Sequence, residues 1–516
     1  MRVLHLLVAV GFVLASCAKQ APTNASAAAD SPDVADVAVV TGLPDQTAGA
    51  DAGGAANAED ISIVADVGDA AIAAAVDSVG APADAGAPKP DVSATDGLQK
   101  PDTGDTISLP PNWFVDPKKQ PRAQHMTWQH DPATTVTISW AVDWTDMTTY
   151  LPKAWVVSAA AASADPEKTL PMLPSYVYTG TGKAYPTLAG DTPIDDVLHV
   201  TCSVEVTGLK PETLYYYRVG TWDSIKNGEF VQPNLSELGH FRTTAAKGKV
   251  VPFQVVLAGD SRGGMDNIAK NMDKFSKIDA AMWFFNGDFT TAGLQDQWDS
   301  WITVMQPVMR YRVLMPVQGN HEIFANLYYE QFALPVEPLL PELYKEHAWA
   351  VNVSNVHFVG FDSNDVSSVQ EQLPWLEADL KAAQADKDIE WTIVMAHHPA
   401  YSSSNHGSTD YLRKYVVPLC EKYGVDLVFS GHDHDYERTK PIKGEKVVAA
   451  AEGIYYIVAG GFFSPPYANG KNWWTEISAH GDLYNYVVLA INGKKIELKA
   501  YSGDSKTLID SLTISH

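Results

Sequence analysis

The sequence predicts an α/β domain preceded by an all-β sandwich, with a long polar tether in front of both. Three stretches predict it. The first has fifteen acidic residues and no aromatic one, the second has short runs of alternating polarity, and the third has five continuous apolar runs that each stop at Gly, Asp, Asn or His. At 516 residues the chain is too long for one core and suggests two or three domains. With 37 basic against 62 acidic residues the net charge is −25, which argues against a general polyanion binder, so no nucleic-acid partner is expected. Three cysteines exclude a disulfide scaffold and a zinc finger.

Residues 1–17 read as an export signal. A basic Met1-Arg2 head precedes an apolar run over 3–14 that is broken only by His5. That run is shorter than the roughly 20 residues a membrane-spanning helix needs. It ends Leu14-Ala-Ser-Cys17, which resembles a bacterial lipobox, and this implies a lipidated Cys17 as the mature N-terminus. The expectation is an exported lipoprotein held to a membrane at the outer membrane, the periplasm or the cell surface. Residues 18–110 carry fifteen acidic residues against Lys19, Lys89 and Lys100, in an Ala/Asp/Gly/Val-rich composition. Such a segment buries too little apolar surface to offset the entropy of ordering it, so it reads as a solvated tether with a reach of roughly 50 Å.

After Pro110-Pro111 the pattern changes. Alternating runs at 124–128, 135–140, 153–157, 198–206, 215–219 and 240–243, rich in β-branched and aromatic residues, indicate an antiparallel sandwich over 111–246. The run Gly208-Leu-Lys-Pro-Glu-Thr-Leu-Tyr-Tyr-Tyr217-Arg-Val-Gly220 resembles the turn and strand of a fibronectin type III-like module. No constellation of reactive side chains stands out there.

From 247 to 516 the apolar runs end in Gly259-Asp260, Gly287-Asp288, Gly319-Asn320-His321-Glu322, Ala396-His397-His398 and Gly431-His432-Asp433-His434. Helical patterns at 267–278, 294–309, 368–385 and 410–423 separate them. Continuous apolar runs of this length suit strands buried on both faces of one sheet between helices. Ligands bind at the carboxyl ends of such strands. Each ending alone is weak, because Gly-Asp is commonly a turn and a lone His commonly structural. Five together, offering only oxygen or imidazole, point to a metal centre. The runs 486–491, 495–501 and 508–514 read as strands closing a second sheet.

This ordered set resembles the calcineurin-like metallophosphoesterase superfamily. The run Gly431-His-Asp-His-Asp-Tyr-Glu-Arg438 and the preceding module narrow the resemblance to purple acid phosphatases. It implies an α/β fold of two sheets packed as a sandwich and flanked by helices. It also implies hydrolysis of phosphoric esters at a dinuclear centre with a metal-bound hydroxide as nucleophile, on a monoester substrate of acid-phosphatase type. Asp288 matches the bridging carboxylate; Asn320, His397 and His432 complete the second site, and Asp260 and His434 serve the first. His321 matches a histidine that contacts substrate and protonates the leaving group, with Glu322 orienting it, and His406 matches a further phosphate contact. The alternatives are a phosphodiesterase on the same site, or a surface binding or adhesion protein with a degraded metal centre.

Two departures from the family stand out. Where the family has a tyrosine ligand, Gly287-Asp-Phe-Thr-Thr291 offers Thr291, so a colourless protein is expected even with iron. Where relatives outside the purple group read Asp-x-His, this chain reads Asp260-Ser-Arg262, and a guanidinium binds no metal. The first site is thus short of a ligand, so either it is weakly occupied or Arg262 itself binds a phosphate oxygen bidentately. Hard and imidazole ligands favour Fe, Mn or Zn as the two ions. Substrate choice is assigned to loops 326–348 and 462–480, whose aromatics (Tyr328, Tyr329, Phe462, Phe463, Trp473, Trp474) either line a pocket or pack on one another.

Overall fold

The computed structural model describes residues 117–516 apart from 147, 163–173, 190–191, 227–228, 323–326, 469 and 480–483. The signal run, Cys17 and the tether over 18–110 lie outside the described residues. Among those described, no helix is long and apolar enough to cross a membrane.

The first part is all-β. Strands Arg122–Thr127, Val136–Val142, Thr192–Val206 and Thr181–Ala189 form one antiparallel sheet. Lys153–Ser158 and Leu214–Thr221 centre the other, with Val177–Thr179, Asn234–Leu235 and Gly239–Arg242 beside them. Alternate residues such as Met126, Ile138, Trp140, Val204, Tyr217 and Val219 face inward, as period-2 patterning requires. The sandwich is bonded to the second part of the chain: His125 Nε2 lies 2.6 Å from the Gln331 carbonyl, and Thr127 and Tyr217 donate to the Ala333 and Arg310 carbonyls.

The second part holds two sheets. In one, Val313–Pro316, Met282–Phe285 and Phe253–Ala258 run parallel, and Asn485–Asn492, Lys495–Ser502 and Leu508–Ser515 extend it antiparallel. In the other, Val356–Phe361, Trp391–Met395, Leu427–Ser430 and Tyr455–Ala459 run parallel; Ala348–Val353 flanks one side, and Tyr436–Thr439 and Thr475–Ala479 the other. Phe358, Ile393, Phe429 and Ile457 share a core with the first sheet, while their neighbours Val359, Val394, Val428 and Tyr456 pack under helices Val366–Ala385 and Val417–Tyr423. Both faces are therefore buried, which is why these strands read as unbroken apolar runs.

Three expectations are corrected. The five strand endings do not lie in one sheet: three leave the first and two leave the second. The last three strands join the Phe253–Ala258 sheet rather than closing the other. Hydrophobic period reports burial but not which sheet a strand enters. The helical pattern over 410–423 divides into Asp410–Tyr415 and Val417–Tyr423, since Pro418 has no N–H to continue the ladder. The sequence reading also missed the hairpin Ala348–Val353/Val356–Phe361. Its signal was present in alternating residues around Ser354-Asn355, with Ser354 at φ 57°.

Candidate metal centre

Tight turns at the strand ends bring the polar side chains together. Asp260, Asp288 and His432 sit at φ 60°, 53° and 70°, a left-handed backbone that costs a non-glycine residue about 1 kcal/mol or more. The surrounding bonds hold it: Asp260 N donates to Gly287 O at 3.0 Å and Ser261 N to Asp288 O at 2.9 Å. Two glycines in the strand-end turns are there for closeness. A Cβ on Gly319 would lie 2.2 Å from Asp288 Oδ1, and one on Gly431 would lie 2.2 Å from Asp260 Oδ2. Glu322 stitches the turns from below. Its buried carboxylate accepts the N–H groups of Asp288, Gly319 and Thr290 at 2.8, 2.9 and 3.1 Å. It does not orient the His321 ring as expected; His321 Nδ1 lies 2.6 Å from the Thr291 carbonyl, which takes that role.

One group of ligand atoms gathers around Asn320. Its Oδ1 lies 2.9 Å from His432 Nδ1 and 3.0 Å from His397 Nε2; His397 Nε2 is 3.3 Å from both His432 Nδ1 and Asp288 Oδ1. His397 Nδ1, 2.6 Å from the Asn286 carbonyl, must donate its proton there, so Nε2 presents a lone pair to these acceptors. The second group is Asp260, Asp288 and His434, whose ligand atoms all lie within 4.8 Å of one another. His434 Nδ1 donates to the Pro465 carbonyl at 2.8 Å. Its Nε2 is buried without a hydrogen-bond partner, 3.6 Å from Asp260 Oδ1.

Burial disfavours the charged form of all three rings. Burial lowers the pKa of His397, and burial with the neighbouring imidazoles lowers that of His432 further. Burial, then Arg262, brings His434 to about 3. Burial and the charge on Asp288 push Asp260 well above the carboxylate range. Burial would raise Asp288 too, but His397, His321 and Arg262 outweigh it and hold it low. Lone pairs and carboxylate oxygens thus crowd two adjacent points with few protons to bridge them. Such a donor set fits cations, with Asp288 common to both points.

The remaining side chains form the rim. His321 Nε2 lies 3.8 Å from Asp288 Oδ2, and Arg262 Nε lies 3.7 Å from the same oxygen. The His406 ring packs 4.3 Å from His432, its backbone N–H tied to Asp433 Oδ1 at 2.8 Å. Sequence reading missed His398, whose ring covers the other side of His432 at 4.3 Å, and Tyr467, which stacks on His434. The doubled His397-His398 was a visible signal for the first; nothing in the sequence marked the second. The Tyr436-Glu437-Arg438 tail is structural. Tyr436 and Arg438 both bind Asp510, and Glu437 accepts Ser403 N and Trp474 Nε1. Most of the six loop aromatics pack: Tyr328, Phe462, Phe463 and Trp474 are buried, and Trp473 is exposed.

Residues 253–436 match the calcineurin-like phosphoesterase family, and residues 121–243 match the purple acid phosphatase N-terminal domain. The chain thus carries a calcineurin-like phosphoesterase domain behind a purple acid phosphatase N-terminal domain. Among relatives of the phosphoesterase, purple acid phosphatase 21 of Arabidopsis thaliana is 31% identical over 274 residues, covering 50% of this chain and 57% of that protein. The uncharacterized protein Rv2577 of Mycobacterium tuberculosis is 31% identical over 277 residues, covering 46% and 50%. The chain therefore spans about half the length of the curated relatives it matches. Two solved structures share the fold. Purple acid phosphatase PPD1 from yellow lupin seeds has TM-score 0.64 at 18% identity, covering 78% of this chain and 75% of that one. PhoD has TM-score 0.52 at 13% identity, covering 77% and 93%. A calcineurin-like phosphoesterase domain implies divalent metal ions.

Proposed function

We propose that this phosphoesterase hydrolyses phosphoric monoesters with two metal ions. The observation that carries the reading is the convergence of Asn320, His397, His432 and Asp288 on one point and of Asp260, His434 and Asp288 on the next. Asn320, His397, His432 and Asp288 would hold one ion, and Asp260, His434 and Asp288 the other. With no thiolate present, Fe, Mn or Zn suits both. Two such cations lower the pKa of water and neutralise phosphoryl oxygens.

The protein's own groups supply the rest. His321, with Nδ1 bonded to the Thr291 carbonyl and Nε2 held beside Asp288, is the proton donor to the departing alkoxide. Arg262 and His406, each a neighbour of Tyr467, bind non-bridging oxygens. We extend the reading to export and membrane attachment through a lipidated Cys17, on the strength of the apolar run and the Leu14-Ala-Ser-Cys17 sequence.

The test is turnover of 4-nitrophenyl phosphate and its bis-ester by metal-loaded wild type and Asn320→Ala. Preferential monoester hydrolysis is expected, with at least about a hundredfold loss and reduced metal content in the variant. Turnover of neither ester at full metal loading overturns the reading, and faster diester turnover replaces its substrate.

A further inference from the structure

The segment from Phe462 to Tyr467 wraps the first metal position. Ser464 N donates to the Asp260 carbonyl at 3.1 Å, the Pro465 carbonyl takes the His434 Nδ1 proton, and Tyr467 N donates to the His434 carbonyl at 3.1 Å. The Tyr467 ring then lies nearly parallel on the His434 imidazole, 10° apart with centroids at 4.1 Å. Its hydroxyl reaches past that ring to Arg262, accepting from Nη2 at 3.0 Å.

We propose that Tyr467 is a positioning residue that holds Arg262 as a fixed phosphoryl-binding cation on the open side of the first metal position. Arg262 stands two residues after Asp260, and its Nε–H is a buried donor with no hydrogen-bond partner, 3.7 Å from Asp288 Oδ2. The contact is an ion pair without a hydrogen bond, so the Nε–H is still available to an incoming acceptor. A free arginine side chain loses much rotamer entropy when it must grip an anion. A phenol anchored through its ring and its backbone removes that freedom in advance. The planar fork is left facing the region where a phosphoryl group would meet Asp288 and His434, matched to two of its oxygens.

This inference rests on the phosphoryl reading of the site, so the decisive experiment does not use turnover. Inorganic phosphate is titrated calorimetrically into the metal-loaded full chain, wild type against Tyr467→Phe, with metal content measured on the same samples. Phenylalanine keeps the ring on His434 and deletes only the hydroxyl. Phosphate Kd is expected to rise about tenfold, with metal content unchanged. Arg262→Ala should weaken phosphate at least as much, and the double variant should be no weaker than Arg262→Ala alone. If esters are turned over, KM for 4-nitrophenyl phosphate rises in Tyr467→Phe while kcat stays within about twofold.

A phosphate Kd within twofold of wild type, or additive effects in the double variant, overturns the proposal. So does a visible phenolate-to-iron band in the iron-loaded protein that Tyr467→Phe abolishes, because Tyr467 would then be a metal ligand. Loss of all ester turnover with the phosphate difference intact would sink the phosphatase reading and leave the clamp standing.

Discussion

Gly319→Ala is the sharpest test of how the centre is built. The added Cβ would stand 2.2 Å from Asp288 Oδ1, 2.3 Å from Asp288 N and 2.9 Å from Glu322 Oε2, where ordinary contact begins at 3.4 Å. Two of those atoms belong to a residue already at φ 53° and fully buried, so they have little room to retreat. Asp288 must move by more than about 1 Å, a displacement that can lower a rate about a hundredfold when it falls on a reacting centre. Overpacking of this kind destabilises by about 1–3 kcal/mol, less than a typical domain stability, so the variant folds. Gly444→Ala supplies the control: φ is +57° with nothing within 4 Å, so it carries backbone strain without a clash. Thermal melts, metal content and 4-nitrophenyl phosphate kinetics on both variants separate strain from displacement. Gly444→Ala should keep full activity at a cost near 1 kcal/mol. If Gly319→Ala keeps its metal and stays within threefold of wild-type activity, the close approach does not set the site.

Further outcomes follow from other parts of the molecule. Asp510 bridges the two sheets by accepting from Arg438 and Tyr436, so Asp510→Ala strands a buried guanidinium and should lower urea-unfolding stability by about 3–5 kcal/mol, with Asp510→Ala/Arg438→Met recovering part of it. His240 packs on Tyr311, and burial, then Arg312 and Arg242, bring its pKa to about 4 from 6.5. The unfolded chain therefore takes up a proton between those values that the folded chain refuses, so stability falls with falling pH across that window. His240→Phe should reduce the stability loss between about pH 7.5 and 4.5 by roughly 2–3 kcal/mol, and an unchanged pH slope would refute the assignment. Cys17→Ser should shift the exported protein from the membrane fraction to the soluble one, and an unchanged distribution would remove the anchor.

The convergence of six side chains from five strand endings was legible because ligand chemistry restricts both residue type and place. Oxygen and imidazole at the carboxyl ends of buried strands leave few other readings, and Gly-His-x-His puts two imidazoles near one point. The tail of that same run was harder to read. Glu437 and Arg438 look like further site residues, yet one serves Ser403, Trp474 and Thr475 while the other grips Asp510 across the sheets. Glu322 likewise works on backbone amides that no sequence pattern displays.

From the chain alone came the order of the domains, the buried strands and the residues able to bind cations, since local periodicity and side-chain chemistry are properties of neighbours along the backbone. The folded structure alone decided that the strand endings come from two sheets whose rims meet. It alone decided that Gly319 and Gly431 leave space for carboxylates and that Tyr467 lies against His434 and reaches Arg262. Those are contacts between residues as far apart as 262 and 467, where packing and directed hydrogen bonds, rather than sequence period, select the partner.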